Sequence, residues 1–335
     1  MAKTPCTGPF AALIAQYVDY KRSLGFKMRD TEERLRRFDN LAKEKDVQGG
    51  AIPKFLIDEW LKPANAESDY NRTTRASVIR GFSSYLCLLG YDSYVPQLPR
   101  QCSVFTPHIF TSREISAIFR ECDRLSNRRR YTYSIYSAMP ALIRMLYGTG
   151  IRIGEAVSLR HCDVDLTKGA LLLKGTKNGC ERLVPMSLSL REVCKDYVAF
   201  KQSHGIPVEA EDIFFTTYDG SKGLLPSTVY EVFRTVLQRA GIPHGGRSRG
   251  PRVHDLRHTF CVNALVKMAE TGLDLYHTMP ILMTYVGHKS LEATNRYVRL
   301  TQEMYPGVLA KLDEAYRHVF PEIGYDLNTD EYETD

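Results

Sequence analysis

The sequence predicts a mainly α fold with a small β-sheet or hairpin, an α+β chain in two domains. Three observations lead there. Apolar residues recur at helical spacing from Phe10 to Leu89 and over most of the chain beyond Phe110. Two runs, Gly169–Lys174 and Arg182–Met186, read instead as strands joined through a turn bearing Gly175 and Asn178-Gly179. The polar stretch Val95–Pro107, with Pro96, Pro99 and Pro107, reads as a linker, and 335 residues suit two domains better than one. The expected divisions are a helical domain over 1–100, a larger domain over 108–320 and an acidic tail over 321–335.

In the first domain, Phe10, Leu13, Ile14, Tyr17 and Val18 mark one helix, and Leu35, Phe38 and Leu41 a second. Ile52–Leu61 is a short third, with Pro53 in its first turn, and Arg75–Leu89 a fourth. Lys21, Arg22, Lys27, Arg29, Arg34, Arg36, Arg37, Arg72, Arg75 and Arg80 stand off these apolar faces. In the second domain, Thr111 or Ser112 opens a helix with Glu114 in its first turn. Ala138–Tyr147 is an apolar helix interrupted by Gly148-Thr149-Gly150, and a short helix follows Arg152. Ile213–Thr217 is expected as a third strand. Ser187–His204, Ser227–Ala240, His254–Met268, Asp274–Tyr285 (bounded or kinked at Pro280) and Gln302–Val319 are expected helices.

Formal net charge is +6, and residues 321–335 hold six acids and no Lys or Arg, so the rest of the chain is twice as positive as the whole. A basic body with an acidic tail suits a polyanionic partner. The eight cysteines show no C-x-x-C spacing, which argues against a structural zinc site and fits free thiols in a reducing cytoplasm. No apolar run approaches the roughly 20 residues of a membrane span.

Three clusters carry chemistry: Tyr147-Gly-Thr-Gly-Ile-Arg152-Ile-Gly-Glu155, Val253-His254-Asp-Leu-Arg257-His258-Thr259, and Val286-Gly-His288-Lys-Ser-Leu-Glu-Ala-Thr-Asn-Arg-Tyr297. They supply two arginines, several imidazoles and a phenol in order. The set resembles the tyrosine recombinases, the family of phage integrases, Xer recombinases and Cre, over roughly Phe110 to Tyr316. The stretch between Arg257 and His288 looks longer than is typical of that family.

The resemblance implies a two-domain clamp on double-stranded DNA that cleaves and rejoins strands through a covalent 3′-phosphotyrosine. Arg152 and Arg257 would hold the phosphate charge, because a guanidinium stays protonated and forks onto two oxygens. Tyr297 would be the nucleophile. A free phenol has a pKa near 10, so about one in a thousand is ionised at neutral pH, and nearby cations would stabilise the phenolate. His254 would accept its proton and His288 would bond a non-bridging oxygen. The family also carries a mobile lysine on a hairpin, which protonates the leaving 5′ oxygen. Lys174 is the better match. Leu173 stands where the pattern has glycine and Asn178, Gly179 and Cys180 are extra, so Lys177 stays open as the alternative. Glu155 and Asp163 would be supporting residues. Arg247, Arg249 and Arg252, in a Gly/Arg-rich loop, would track the DNA backbone.

No carboxylate cluster accompanies these residues, and neither a metal nor another cofactor is expected. The resemblance further implies self-association as a tetramer on two DNA sites, with a C-terminal segment passed to a neighbour. Two other readings stand beside it: DNA relaxation like that of a type IB topoisomerase, and a DNA-binding protein without catalysis.

Overall fold

A computed structural model describes residues 6–64, 67–98, 106–126, 134–175, 181–246, 250–271, 273 and 275–287. The chain divides into two compact units, Met1–Thr106 and Pro107–Asp335.

The first unit holds four helices, α1 (Ala11–Ser23), α2 (Arg29–Glu44), α3 (Lys54–Trp60) and α4 (Asp69–Leu88). Their apolar faces close on Phe10, Phe38, Trp60 and Phe82, with Phe38 and Trp60 meeting edge to face. Asp39, wholly buried on α2, accepts the backbone N–H of Gly8 at 2.7 Å and of Phe10 at 2.8 Å, so the chain leading into α1 is satisfied from inside the core. Helix α4 begins six residues before the expected Arg75, because Ser68 caps it by accepting the N–H of Asn71 at 3.3 Å. Pro53 stands just ahead of α3 as its N-cap, not within its first turn. Arg75 also departs from expectation. Instead of standing off the apolar faces, its side chain is 18% exposed, pairs with Glu67, lies over the Trp60 ring and donates to the carbonyls of Trp60, at the end of α3, and Lys62 just past it.

The second unit runs α5 (Ser112–Ser126), α6 (Met139–Thr149), α7 (Ile153–Val157), a 3-10 turn (His161–Asp163), β1 (Val164–Asp165), β2 (Ala170–Leu173), β3 (Arg182–Pro185), α8 (Leu188–Ser203), α9 (Pro226–Arg239), α10 (Val253–Glu270) and α11 (Leu275–Val286). Thr111 caps α5 reciprocally: its Oγ1 accepts the Glu114 N–H at 3.2 Å, and Glu114 accepts the Thr111 N–H at 2.8 Å. Helix α6 is the central element. Ala141, Leu142, Ile143, Met145 and Leu146 are buried in it, and it packs on α5, α8 and α10. It continues through Gly148 and Thr149 and stops only at Gly150, the left-handed residue of the turn at φ 62°.

The strands form an antiparallel sheet in the order β1-β2-β3, with Leu173 opposite Arg182. Its third member is β1, not Ile213–Thr217. That run makes only single bridges, Ile213 with Arg160 and Thr216 with Gly223. A buried lysine accounts for part of this. Lys201 Nζ donates to Ile213 O at 3.0 Å and Phe214 O at 3.3 Å, and meets His161 Nε2 at 2.9 Å, so two carbonyls of the run bond a side chain.

Among the described residues no helix is long and apolar enough to cross a membrane.

Candidate active site

An arginine followed three residues later by an acid opens α7, the 3-10 turn and α10 in the same way. Glu155 accepts the Arg152 N–H at 2.9 Å, Asp163 the Arg160 N–H at 3.0 Å, and Asp255 the Arg252 N–H at 2.8 Å. Each acid thereby satisfies a donor at the N-terminus of the helix or 3-10 turn it begins. The arginine side chains, which can only donate, differ in where they go: those of Arg152 and Arg252 also bond their own acid, and that of Arg160 pairs with Glu211.

Arg152 starts α7 between the buried Ile151 and Ile153. Its Nη1 donates to Glu155 Oε1 at 2.9 Å and its Nη2 to Gly287 O at 3.0 Å. Arg257, in the first turns of α10, is 2% exposed. Its Nη1 donates to Gly150 O at 2.7 Å and its Nη2 to Val286 O at 2.6 Å. The end of α6, the start of α7, α10 and the end of α11 therefore converge through two guanidinium groups. The space is tight: a Cβ on Gly150 would stand 2.3 Å from the Phe260 ring.

His254 lies on α10 one turn before Arg257, with its ring edge-on to that of His258 at 4.8 Å. The residue keeps an exposed face. Burial of the rest of the ring, then the charges of Arg257, Arg252 and Arg152, lower its pKa to about 4. They favour a neutral imidazole able to accept a proton. His254 also borders a cavity of about 380 Å³ shared with Tyr230, Arg234, His244 and Arg252.

Lys174, just past β2, is half-exposed, and its Nζ pairs with the buried Asp163 at 2.8 Å. That hydrogen bond and charge raise its pKa above the usual lysine value. Arg252 contacts Asp255 at 3.3 Å. Burial pushes the Asp255 carboxyl up, with Arg252 opposing. His288, Tyr297, Lys177, Arg247 and Arg249 lie outside the described residues, as does the segment expected as a tail. Tyr285, another phenol close in sequence to the third cluster, stacks on Phe260 at 5.6 Å, and burial pushes its pKa up to about 12. Those surroundings disfavour a phenolate there.

One residue of the site carries no motif in the sequence. Arg182 opens β3, and its side chain is 11% exposed. It donates to both Glu155 oxygens, at 3.1 and 2.8 Å, and through Nε to Tyr285 O at 3.0 Å. Burial alone would raise the Glu155 carboxyl; the Arg182 bonds, then the Arg152 N–H, outweigh it and hold it below the usual value. The strand pattern accounts for Arg182 lying in β3 opposite Leu173, but no local signal leads from there to Glu155. Among the described residues no group of three or more His, Cys, Asp or Glu side chains converges as a metal site.

The chain matches the phage integrase family over residues 108–304. It is 28% identical to y4rB of Sinorhizobium fredii, named as an integrase/recombinase, over 92% of this chain and 98% of that one. It is 27% identical to the tyrosine recombinase XerA of Thermococcus onnurineus, over 76% and 80%. Among solved structures, the XerH site-specific recombinase bound to difH substrate has a similar fold, with a TM-score of 0.58 at 18% identity over 82% of this chain and 77% of that one. So has the Tn1549 transposon integrase in complex with a circular intermediate DNA, at 0.58 and 17% over 85% and 94%.

Proposed function

Because the chain belongs to the phage integrase family, we propose that it is a site-specific DNA recombinase that breaks and rejoins strands through a phosphotyrosine. The observation that carries this reading is the convergence of Arg152 and Arg257 on the carbonyls of Gly287 and Val286, directly ahead of His288 in the chain. Two permanent cations there suit one phosphodiester, whose charge repels an anionic nucleophile and spreads onto the equatorial oxygens in the transition state.

In this reading Tyr297 attacks phosphorus, forms the tyrosine–phosphate bond and releases the 5′ oxygen. His254 takes the phenol proton. A phosphate arriving beside it adds negative charge to surroundings where Glu155 opposes three arginines, which raises its pKa from about 4 towards neutrality. His288 bonds a non-bridging oxygen. Lys174 gives the leaving oxygen its proton, for which it must first leave Asp163; Lys177 is the alternative donor. Arg247, Arg249 and Arg252 track the DNA backbone. The two units act as a clamp on double-stranded DNA, and four copies assemble on two sites with exchange of a C-terminal segment. The phosphotyrosine conserves the bond energy, so the scheme needs no ATP; the two guanidiniums take the phosphate charge, and no metal is assigned to it.

The test is covalent capture. The protein is mixed with supercoiled plasmid or a pool of randomised duplexes and denatured in SDS. Adduct formed by wild type on preferred sequences and lost in Tyr297→Phe, which still binds DNA, is the expected result. Adduct persisting in Tyr297→Phe sinks the assignment of the nucleophile. Site-independent relaxation points to the topoisomerase reading, and no adduct from wild type to a bare DNA binder.

A further inference from the structure

Glu155 is a buried carboxylate held by two guanidinium groups at once. Arg182 takes both of its oxygens, at 3.1 and 2.8 Å, whereas the Arg152 side chain takes only Oε1, at 2.9 Å. The remaining edge of Arg182 reaches Tyr285 O, and its guanidinium lies so close to Gly287 that a Cβ there would stand 3.0 Å from Nη1. One side chain thus ties β3, the carboxylate beside Arg152 and the end of α11.

We infer that Arg182 is a positioning residue for strand cleavage: by occupying Glu155 with both Nη nitrogens, it keeps the Arg152 side chain on that carboxylate by a single bond, beside the bond from the Arg152 backbone N–H, and leaves the Arg152 charge available to the scissile phosphate. The inference rests on the recombinase reading above. A carboxylate with one guanidinium settles into two parallel hydrogen bonds. Without Arg182, Glu155 would draw Arg152 into that fork, turn it from Gly287 O and neutralise it. With Arg182 present the cluster carries two positive charges against one negative, and a net positive charge faces the site. Lysine cannot substitute, because a single ammonium cannot serve two carboxylate oxygens and Tyr285 O in one plane.

The experiment begins with wild-type protein and a pool of randomised duplexes; the sequence captured covalently becomes the probe. Failure of wild type to give any adduct would be a failure of the recombinase reading, seen before any variant is compared. On that probe, Arg182→Met should form adduct about 100-fold more slowly, the scale of losing one transition-state donor, with little change in Kd. Adding Glu155→Gln removes the carboxylate that captures Arg152 and should recover about 10-fold of the lost rate, a coupling that two merely structural lesions would not show. Arg182→Lys, which keeps a cation in the cluster, serves if the Met variant does not fold; it should show the same slowing and the same recovery. Wild-type rates in the Arg182 variants, or no recovery on adding Glu155→Gln to a folded variant, overturn the inference.

Discussion

Arg152 and Arg257 bond adjacent carbonyls: Arg152 Nη2 donates to Gly287 O at 3.0 Å and Arg257 Nη2 to Val286 O at 2.6 Å. The two differ in burial, since the Arg152 side chain is 24% exposed and Arg257 only 2%. Arg257 is therefore the more deeply built into the fold of the two.

That difference is measurable. Either alanine variant should lose on the order of 100-fold or more in covalent adduct formation, with DNA binding weakened far less. Arg257→Ala should in addition cost about 2–5 kcal/mol of folding stability, because the Gly150 and Val286 carbonyls lose a buried charged donor. Arg152→Ala should cost less, since Arg182 still holds Glu155. Urea unfolding beside adduct assays checks the order; equal losses of binding and cleavage would demote both to generic phosphate contacts.

Gly150 and Gly154 offer a matched pair. Gly150→Ala puts a side chain at φ 62° and 2.3 Å from the Phe260 ring, so it should destabilise by about 2 kcal/mol or more. Gly154 lies inside α7 with open space around it, and Gly154→Ala should be neutral or gain up to about 1 kcal/mol. Thermal unfolding of the two variants decides it.

Two histidines should make the fold acid-sensitive. His161, lowered to about 4 by burial and then by Lys201, and His254, lowered to about 4 by burial and its arginine neighbours, ordinarily titrate at 6.5. Between pH 6.5 and 4 the unfolded chain binds protons that these folded sites refuse, so stability falls as pH falls through that window. The variant His161→Gln with His254→Gln should show a shallower decline in unfolding free energy at pH 7, 6 and 5. An unchanged slope would assign the acid sensitivity to other groups.

The lysine prediction turns on the leaving group. Lys174→Ala should cleave natural DNA about 100-fold or more slowly. It should recover near-normal cleavage when sulfur replaces the bridging 5′ oxygen, because a thiolate leaves without a proton. Lys177→Ala should show a smaller defect that sulfur does not repair. Rescue at Lys177 instead would exchange the roles; rescue at neither would move the proton donor off the hairpin.

DNA affinity should fall steeply with salt, by about a thousandfold or more between 50 and 200 mM if six or more phosphates are neutralised. A flat response in a binding titration would argue against a phosphate backbone as the partner.

Local chemistry was legible in the sequence wherever one element contained its own reason. The amphipathic spacing of Phe10, Ile14 and Tyr17, the Thr111–Glu114 cap and the hairpin around Gly175 depend on residues a few positions apart. The order of the three clusters likewise needs only the chain. Whatever depends on contacts between distant segments was not legible. The start of α4 after Ser68 rather than at Arg75 is a local miss instead, a cap that reaches only to Asn71. Ile213–Thr217 fails to join the sheet while a buried lysine bonds two of its carbonyls. Arg182 looks in sequence like any strand residue, and it joins the cluster because the packing of β3 against α7 and α11 brings its side chain to Glu155, 27 residues away, and to Tyr285, 103 away. Among the described residues the sequence by itself determined which helices form, and it fixes which titratable groups the chain carries. Tertiary structure alone decided which guanidiniums share a carboxylate, since charge sharing in a buried cluster depends on distances that no local pattern encodes.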